Sequence, residues 1–191
     1  MLKYNLLLYL VSPFILLKLI IYSLRNSTSL SYLINKLFGK NLTKSYSIWL
    51  HAASVGEMKI AIKVSKCLIE KGYGNILITS NTPSSEFIFN ESCLNGVDHY
   101  YLPFDFFCAT RKVVKSISAD LLIIIETEIW PNLYRLCKKN KTEIITINGR
   151  FNPPQGLLGL MSKKLYISTL DEINHIYCKS EKDLSSFKDY M

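Results

Sequence analysis

Residues 48–58 read Ile48-Trp49-Leu50-His51-Ala52-Ala53-Ser54-Val55-Gly56-Glu57-Met58. A short apolar run gives way at once to Ser54-x-x-Glu57, the spacing of a capping box at a helix start. Beyond it Ile60, Val64 and Leu68 recur every four residues, which places one buried stripe on a helix. The stretch therefore reads as strand, tight turn, helix. The same unit returns along the rest of the chain. Strands are expected at 48–52, 76–79, 99–102, 121–125, 144–147 and 175–178. Helices are expected at 58–71, 84–92, 106–116, 129–140, 157–169 and 181–189. Regular alternation of this kind specifies an α/β fold with a Rossmann-like parallel sheet and right-handed crossovers. Leu121-Leu122-Ile123-Ile124-Ile125 is apolar on both faces, as a central parallel strand must be.

Doubly wound sheets bind ligands at the carboxyl ends of their strands. The polar residues of this sequence gather at those ends: Ser54 to Glu57 after the first strand, Glu126-Thr127-Glu128 after the fourth, Asn148-Gly149-Arg150 after the fifth. Two readings of Glu57 stand side by side. It completes the capping box with Ser54, and it can accept a hydroxyl proton at the rim of a cleft. Gly56 permits close approach of a ligand to the turn, and the helix N-terminus offers amides to an anion. Glu126 and Glu128, in an extended segment, are expected to point the same way, toward a ligand, a metal or a shared proton. They also suit the positive end of the following helix. Arg150 can grip a phosphate or carboxylate, or be a solvated loop residue. His51 shares a strand face with Trp49 and reads as a satisfied structural histidine, with a catalytic role as the alternative. Neither GxxxxGK[ST] nor GxGxxG occurs, which disfavours Walker-type and dinucleotide chemistry. No His or Asp cluster accompanies the glutamates, so no metal is expected.

Lys and Arg number 23 against 15 Asp and Glu, a formal charge of +8. The basic residues are scattered, with no Arg-rich arm, so nucleic acid is not an expected partner. Five unpaired-looking cysteines without a CxxC suit reduced thiols in the cytosol. Residues 4–24, YNLLLYLVSPFILLKLIIYSL, are long enough to cross about 30 Å of hydrocarbon as a helix. A helix lying in the interface and a buried helix are the alternatives. Arg25, Lys36, Lys40 and Lys44 follow the segment, which orients the remainder toward the cytoplasm. Residues 1–25 are therefore expected to be a membrane anchor helix, 26–46 a linker with a small amphipathic helix, and 47–191 the Rossmann-like domain.

Trp49-Leu50-His51-Ala52-Ala53-Ser54-Val55-Gly56-Glu57, Leu102-Pro103-Phe104-Asp105, Glu126-Thr127-Glu128-Ile129-Trp130-Pro131-Asn132, Asn148-Gly149-Arg150 and Ser180-Glu181-x-Asp183 stand in this order. Together they resemble the N-terminal half of the 3-deoxy-D-manno-octulosonic acid (Kdo) transferases of lipopolysaccharide synthesis, glycosyltransferase family 30. The resemblance implies a GT-B architecture and transfer of Kdo from CMP-Kdo to lipid IVA, the lipid A precursor, without metal or cofactor. It implies a place at the cytoplasmic side of the bacterial inner membrane, held by a single N-terminal anchor. It places the general base on Glu57, with Ser54, Gly56, Glu128 and Arg150 binding substrate. It also implies a C-terminal donor domain that is absent from this chain, supplied by a separately encoded half if the chain is active. A non-catalytic, membrane-tethered lipid-binding remnant and the half of another GT-B glycosyltransferase are the competing readings.

Overall fold

The structure, a computed structural model, describes residues 1–26, 28–153 and 156–190. Six parallel strands form one sheet: β1 (Ile48–Ala52), β2 (Ile76–Ser80), β3 (Val97–Tyr101), β4 (Leu121–Ile125), β5 (Glu143–Gly149) and β6 (His175–Cys178). Their order across the sheet is β3-β2-β1-β4-β5-β6. The chain winds outward from β1 to β3, then returns past β1 to build β4 to β6 on the other side. The α/β, Rossmann-like class expected from the sequence is the observed one.

Side chains alternate across the strands and feed two cores. Trp49, Leu77, Leu122, Ile124 and Ile144 pack with α5 (Phe107–Ile117) and α6 (Pro131–Lys139). Leu50, Ala52, Ile76, Ile78, Ile123 and Ile125 pack on the opposite face with Met58, Ala61 and Ile62 of α3 (Val55–Glu70). Ile88 and Phe89 of α4 (Pro83–Glu91) close that side. The continuous apolar run of β4 is explained: it is covered on both faces. Helices α7 (Gly156–Leu170) and α8 (Glu181–Tyr190) flank β6.

Many element boundaries shift by one to three residues from expectation, and two of the shifts have a clear local cause. Strand β3 starts at Val97 rather than residue 99, because only Val97 and Tyr101 of this edge strand are buried and its pattern is weak. Helix α6 starts at Pro131, not at residue 129. Proline at the first helical position has no N–H to lose, and it holds the preceding residues out of the helix.

Ahead of the sheet lie α1 (Leu2–Asn26) and α2 (Leu30–Phe38). Helix α2 is capped by Ser29, whose hydroxyl accepts from Tyr32 N at 3.2 Å. It is docked over the ends of β2 and β3, with Tyr32 and Lys36 buried. Helix α1 is long and apolar enough to cross a membrane. Pro13 cannot bond the carbonyl of Tyr9, and the Ser12 hydroxyl donates to it instead at 2.7 Å. One face of α1 touches the domain along its length. Tyr4 donates to Asp105 at 2.9 Å, Tyr9 stacks on Phe106 at 5.5 Å, and Leu19 is buried with Tyr32 and Tyr101. The opposite stripe, Leu6, Leu10, Phe14, Leu17 and Leu24, is exposed.

Asp105 ties these parts together. Trp130, at the N-cap of α6, makes no side-chain cap bond. Asp105 replaces it from the loop after β3, accepting from Asn132 N at 2.8 Å and Leu133 N at 2.9 Å. Replacing Asp105 by Ala is expected to destabilise the fold by about 1–3 kcal/mol, the cost of leaving buried amides unpaired. Urea unfolding measures the loss, and hydrogen exchange should quicken first at Asn132 and Leu133.

Candidate active site at the carboxyl edge of the sheet

The reversal of strand order falls between β1 and β4. A crevice opens there in doubly wound sheets because consecutive loops leave in opposite directions. The loop after β1 supplies Ser54 and Glu57. The Ser54 hydroxyl accepts from Glu57 N at 3.3 Å and donates to Glu57 Oε1 at 2.8 Å. Glu57 Oε2 accepts from Ala53 N at 2.7 Å. The capping box is present, and it fixes the carboxylate by both oxygens at the start of α3. Glu57 is 7% exposed. Burial pushes its carboxyl above the usual range, the Ser54 and Ala53 bonds oppose this, and Glu126 adds to the rise.

The loop after β4 supplies the other two glutamates. They do not lie in a regular extended segment, and their carboxylates go to different partners. Glu126 is left-handed, with φ 62°, so the chain turns sharply off the sheet. Its carboxylate goes to Arg150, at 3.3 Å from Nη2. That of Glu128 accepts from Trp130 Nε1 at 2.9 Å, and its backbone carbonyl accepts from the buried Tyr134 hydroxyl. Burial raises the Glu128 carboxyl, with Glu57 the next largest cause; Trp130 and Lys36 hold it down. Glu57, Glu126 and Glu128 thus lie close enough to feel one another's charge.

Arg150 is half exposed at the end of β5 and reaches this edge through Glu126 and the Thr127 hydroxyl, which accepts its backbone N–H at 3.0 Å. His51 is fully buried, and its Nε2 has no hydrogen-bond partner among the described residues. Its Nδ1 lies 3.0 Å from Thr79 Oγ1, which also accepts from Trp49 Nε1 at 2.8 Å. Its ring meets Trp130 edge-on at 5.7 Å. Burial, then the charge of Lys36, lowers it to about 3, so it is neutral at physiological pH. Gly56 has no steric need to be glycine within the chain, since an added Cβ would find only Ser54 Oγ, at 3.9 Å.

The structure therefore brings Ser54, Gly56, Glu57, Glu128 and Arg150 to one edge. The sequence reading missed Lys36, counted only among the charges flanking the apolar segment. Its signal was visible: a lysine four residues after Tyr32, on the docked face of an amphipathic helix. Asn81, in the polar loop after β2, accepts from Lys36 Nζ at 3.0 Å. Among the described residues, no group of three or more His, Cys, Asp or Glu side chains is placed to hold a metal ion.

The fold and its fixed carboxylate at the switch point, without a phosphate loop or a dinucleotide fingerprint, leave open which class of doubly wound domain this is. Comparison with known proteins specifies which. A family model described as 3-deoxy-D-manno-octulosonic-acid transferase (kdotransferase), N-terminal glycosyltransferase domain, matches residues 28–191. The chain belongs to this family. It is 34% identical over 148 residues to the 3-deoxy-D-manno-octulosonic acid transferase of Rickettsia felis, covering 74% of this chain and 31% of that protein. It is 31% identical over 160 residues to the enzyme of that name from Rickettsia prowazekii, covering 79% and 33%. A bifunctional glycosyltransferase/methyltransferase of Fusobacterium nucleatum is 31% identical over 142 residues, covering 71% and 22%. The chain spans about a third of the length of the Rickettsia relatives it matches.

Since no atom of the chain crowds Gly56, Gly56→Ala should keep the fold, shifting stability in urea by no more than about 1 kcal/mol and toward greater stability. A loss of acceptor binding in that folded variant would show that the glycine serves the ligand.

Proposed function

We propose that this chain is the acceptor-binding, base-bearing part of an enzyme that transfers Kdo from CMP-Kdo to lipid IVA, with the donor held by a second domain. The observation that carries the reading is the state of Glu57. Of the three carboxylates at the edge, Glu126 is paired with Arg150, whereas Glu57 has no ion pair among the described residues. It is fixed by two hydrogen bonds and raised by burial. A carboxylate so held is suited to take a proton. In the reaction, a sugar hydroxyl oxygen of the acceptor attacks the anomeric carbon of Kdo. The bond from that carbon to the CMP phosphate oxygen breaks with its electron pair, and the hydroxyl proton passes to Glu57. Ser54 orients the base, and Gly56, Glu128 and Arg150 line the acceptor side.

The N-terminal region supports a lipid acceptor. The contacts of α1 run from Tyr4 to Tyr22, about 27 Å of helix at 1.5 Å per residue. A helix held against the domain over that length presents its apolar stripe sideways, so α1 anchors the protein by lying in the interface of the inner membrane, on its cytoplasmic side. Beside it, α1, α2 and α5 frame an apolar groove of about 700 Å³, walled by Tyr9, Pro13, Leu16, Phe38 and Phe106. The net charge of +8 suits a phosphorylated lipid at an anionic membrane.

The test is transfer from CMP-Kdo to lipid IVA by this chain joined or mixed with a donor-binding C-terminal half. Glu57→Gln should leave the unfolding midpoint within a few degrees of wild type and reduce kcat by about 10²–10⁴. Substantial residual transfer would remove Glu57 from the role of base. A folded chain that binds lipid IVA but supports no transfer with any donor half would instead favour the non-catalytic lipid-binding reading. Leu10→Asp with Phe14→Asp, on the exposed stripe, should release the protein from anionic vesicles; retention would exclude the in-plane orientation.

A further inference from the structure

Trp130 occupies the N-cap position of α6, where serine, threonine, aspartate or asparagine ordinarily caps a helix. Its side chain makes no cap bond, and Asp105 serves the helix in its place. The indole turns the other way. Its Nε1 donates to Glu128 Oε2 at 2.9 Å, two residues back in the chain. Its ring meets that of His51 in β1 edge-on, with centres 5.7 Å apart. Trp130 thus bridges the reversal of strand order, from the loop after β4 to the end of β1, the strand whose loop carries Glu57. The backbone of Glu128 is pinned as well, its carbonyl accepting from the buried Tyr134 hydroxyl.

A partly buried indole needs an acceptor, but a carboxylate is a costly one. A neutral carbonyl would satisfy the N–H without drawing a charge toward the core, and packing needs only the ring. The second oxygen of Glu128 explains the choice. Oε1 has no hydrogen bond among the described residues, yet it is not sealed from the surface. Glu57 has both oxygens engaged, and Glu126 is paired with Arg150 at 3.3 Å. Among these three carboxylates, Glu128 alone combines an open oxygen with freedom from an ion pair. A carboxylate only accepts, so an open oxygen held in a fixed direction selects a donor, and a sugar hydroxyl is such a donor.

We propose that Trp130 is a positioning residue for the acceptor: its indole N–H, braced across the switch point against His51, fixes Glu128 so that the open oxygen receives a hydroxyl of the acceptor sugar. The inference rests on the reading of this edge as the acceptor side, and it adds which group aims Glu128 there. A free glutamate side chain samples several rotamers. Holding one of them in advance removes that ordering cost from binding. The effect falls on acceptor affinity, while proton transfer stays with Glu57.

The experiment is a double-mutant cycle on the binding of lipid IVA, in detergent micelles, to this chain alone. Trp130→Phe keeps a ring against His51 and removes the N–H. It should weaken binding by about 3–10-fold, roughly the worth of one hydrogen bond. Glu128→Gln should weaken it at least as much. The double variant should bind no worse than Glu128→Gln, because the indole acts through the carboxylate. Unchanged affinity in folded Trp130→Phe, or losses that add in the double variant, overturn the proposal and leave Trp130 a packing residue. No binding by wild type, or no loss in Glu128→Gln, overturns it together with the acceptor-side reading. Should Trp130→Phe not fold, the indole N–H proton of the wild-type chain decides by NMR. It should shift when lipid IVA is added, and the shift should vanish in Glu128→Gln. The Trp49 N–H, held by the buried Thr79, is the control. A Trp130 signal that stays still in wild type overturns the proposal equally. The reading of Glu57 as base fails by a different sign, residual transfer in Glu57→Gln, which these affinities do not report.

Discussion

The rest of the structure depends on the reversal of strand order between β1 and β4. Parallel strands require long crossovers, and a right-handed crossover can cover only one face of the sheet. Winding outward through β2 and β3, and then through β5 and β6 from the same centre, covers both faces. It also leaves a gap over the carboxyl ends of the two central strands. Glu57 enters that gap from one side and Glu128 from the other. Neither loop makes the site by itself; the topology brings the two loops to one place.

Placing three carboxylates there creates an electrostatic problem, and the fold answers each one differently. Glu126 is turned outward by a left-handed backbone and paired with Arg150 on the exposed rim. Glu128 is held by Trp130. Glu57 receives only a hydroxyl and a backbone amide. Capping and proton transfer are compatible roles for it, because the bonds that cap the helix also hold the carboxylate still. The same economy appears at Asp105, which caps α6 in place of Trp130 and thereby binds α1 to the sheet through Tyr4.

The two helices ahead of the sheet belong to the site as much as the sheet does. Helix α2 delivers Lys36 to the strand ends, and α1 spreads an apolar stripe beside the same edge. The chain covers about a third of the Rickettsia transferases it resembles.

Much was legible in the sequence because local rules govern it. The strand and helix alternation, the capping box of Ser54 and Glu57, the two-faced burial of Leu121 to Ile125 and the apolar length of α1 all follow from periodicity and cap chemistry over a few residues. The family motifs placed Ser54, Gly56, Glu57, Glu128 and Arg150 at strand ends, where the structure finds them. Strand order, the divergence of Glu126 from Glu128, the remote cap supplied by Asp105 and the burial of Lys36 were decided only by tertiary structure. Each depends on residues far apart in the chain: Lys36 meets Leu102 across 66 positions, and Tyr4 meets Asp105 across 101. Periodicity says that a residue faces the interior, but only the packed fold says what it faces there, and for a charged group that neighbour sets the chemistry.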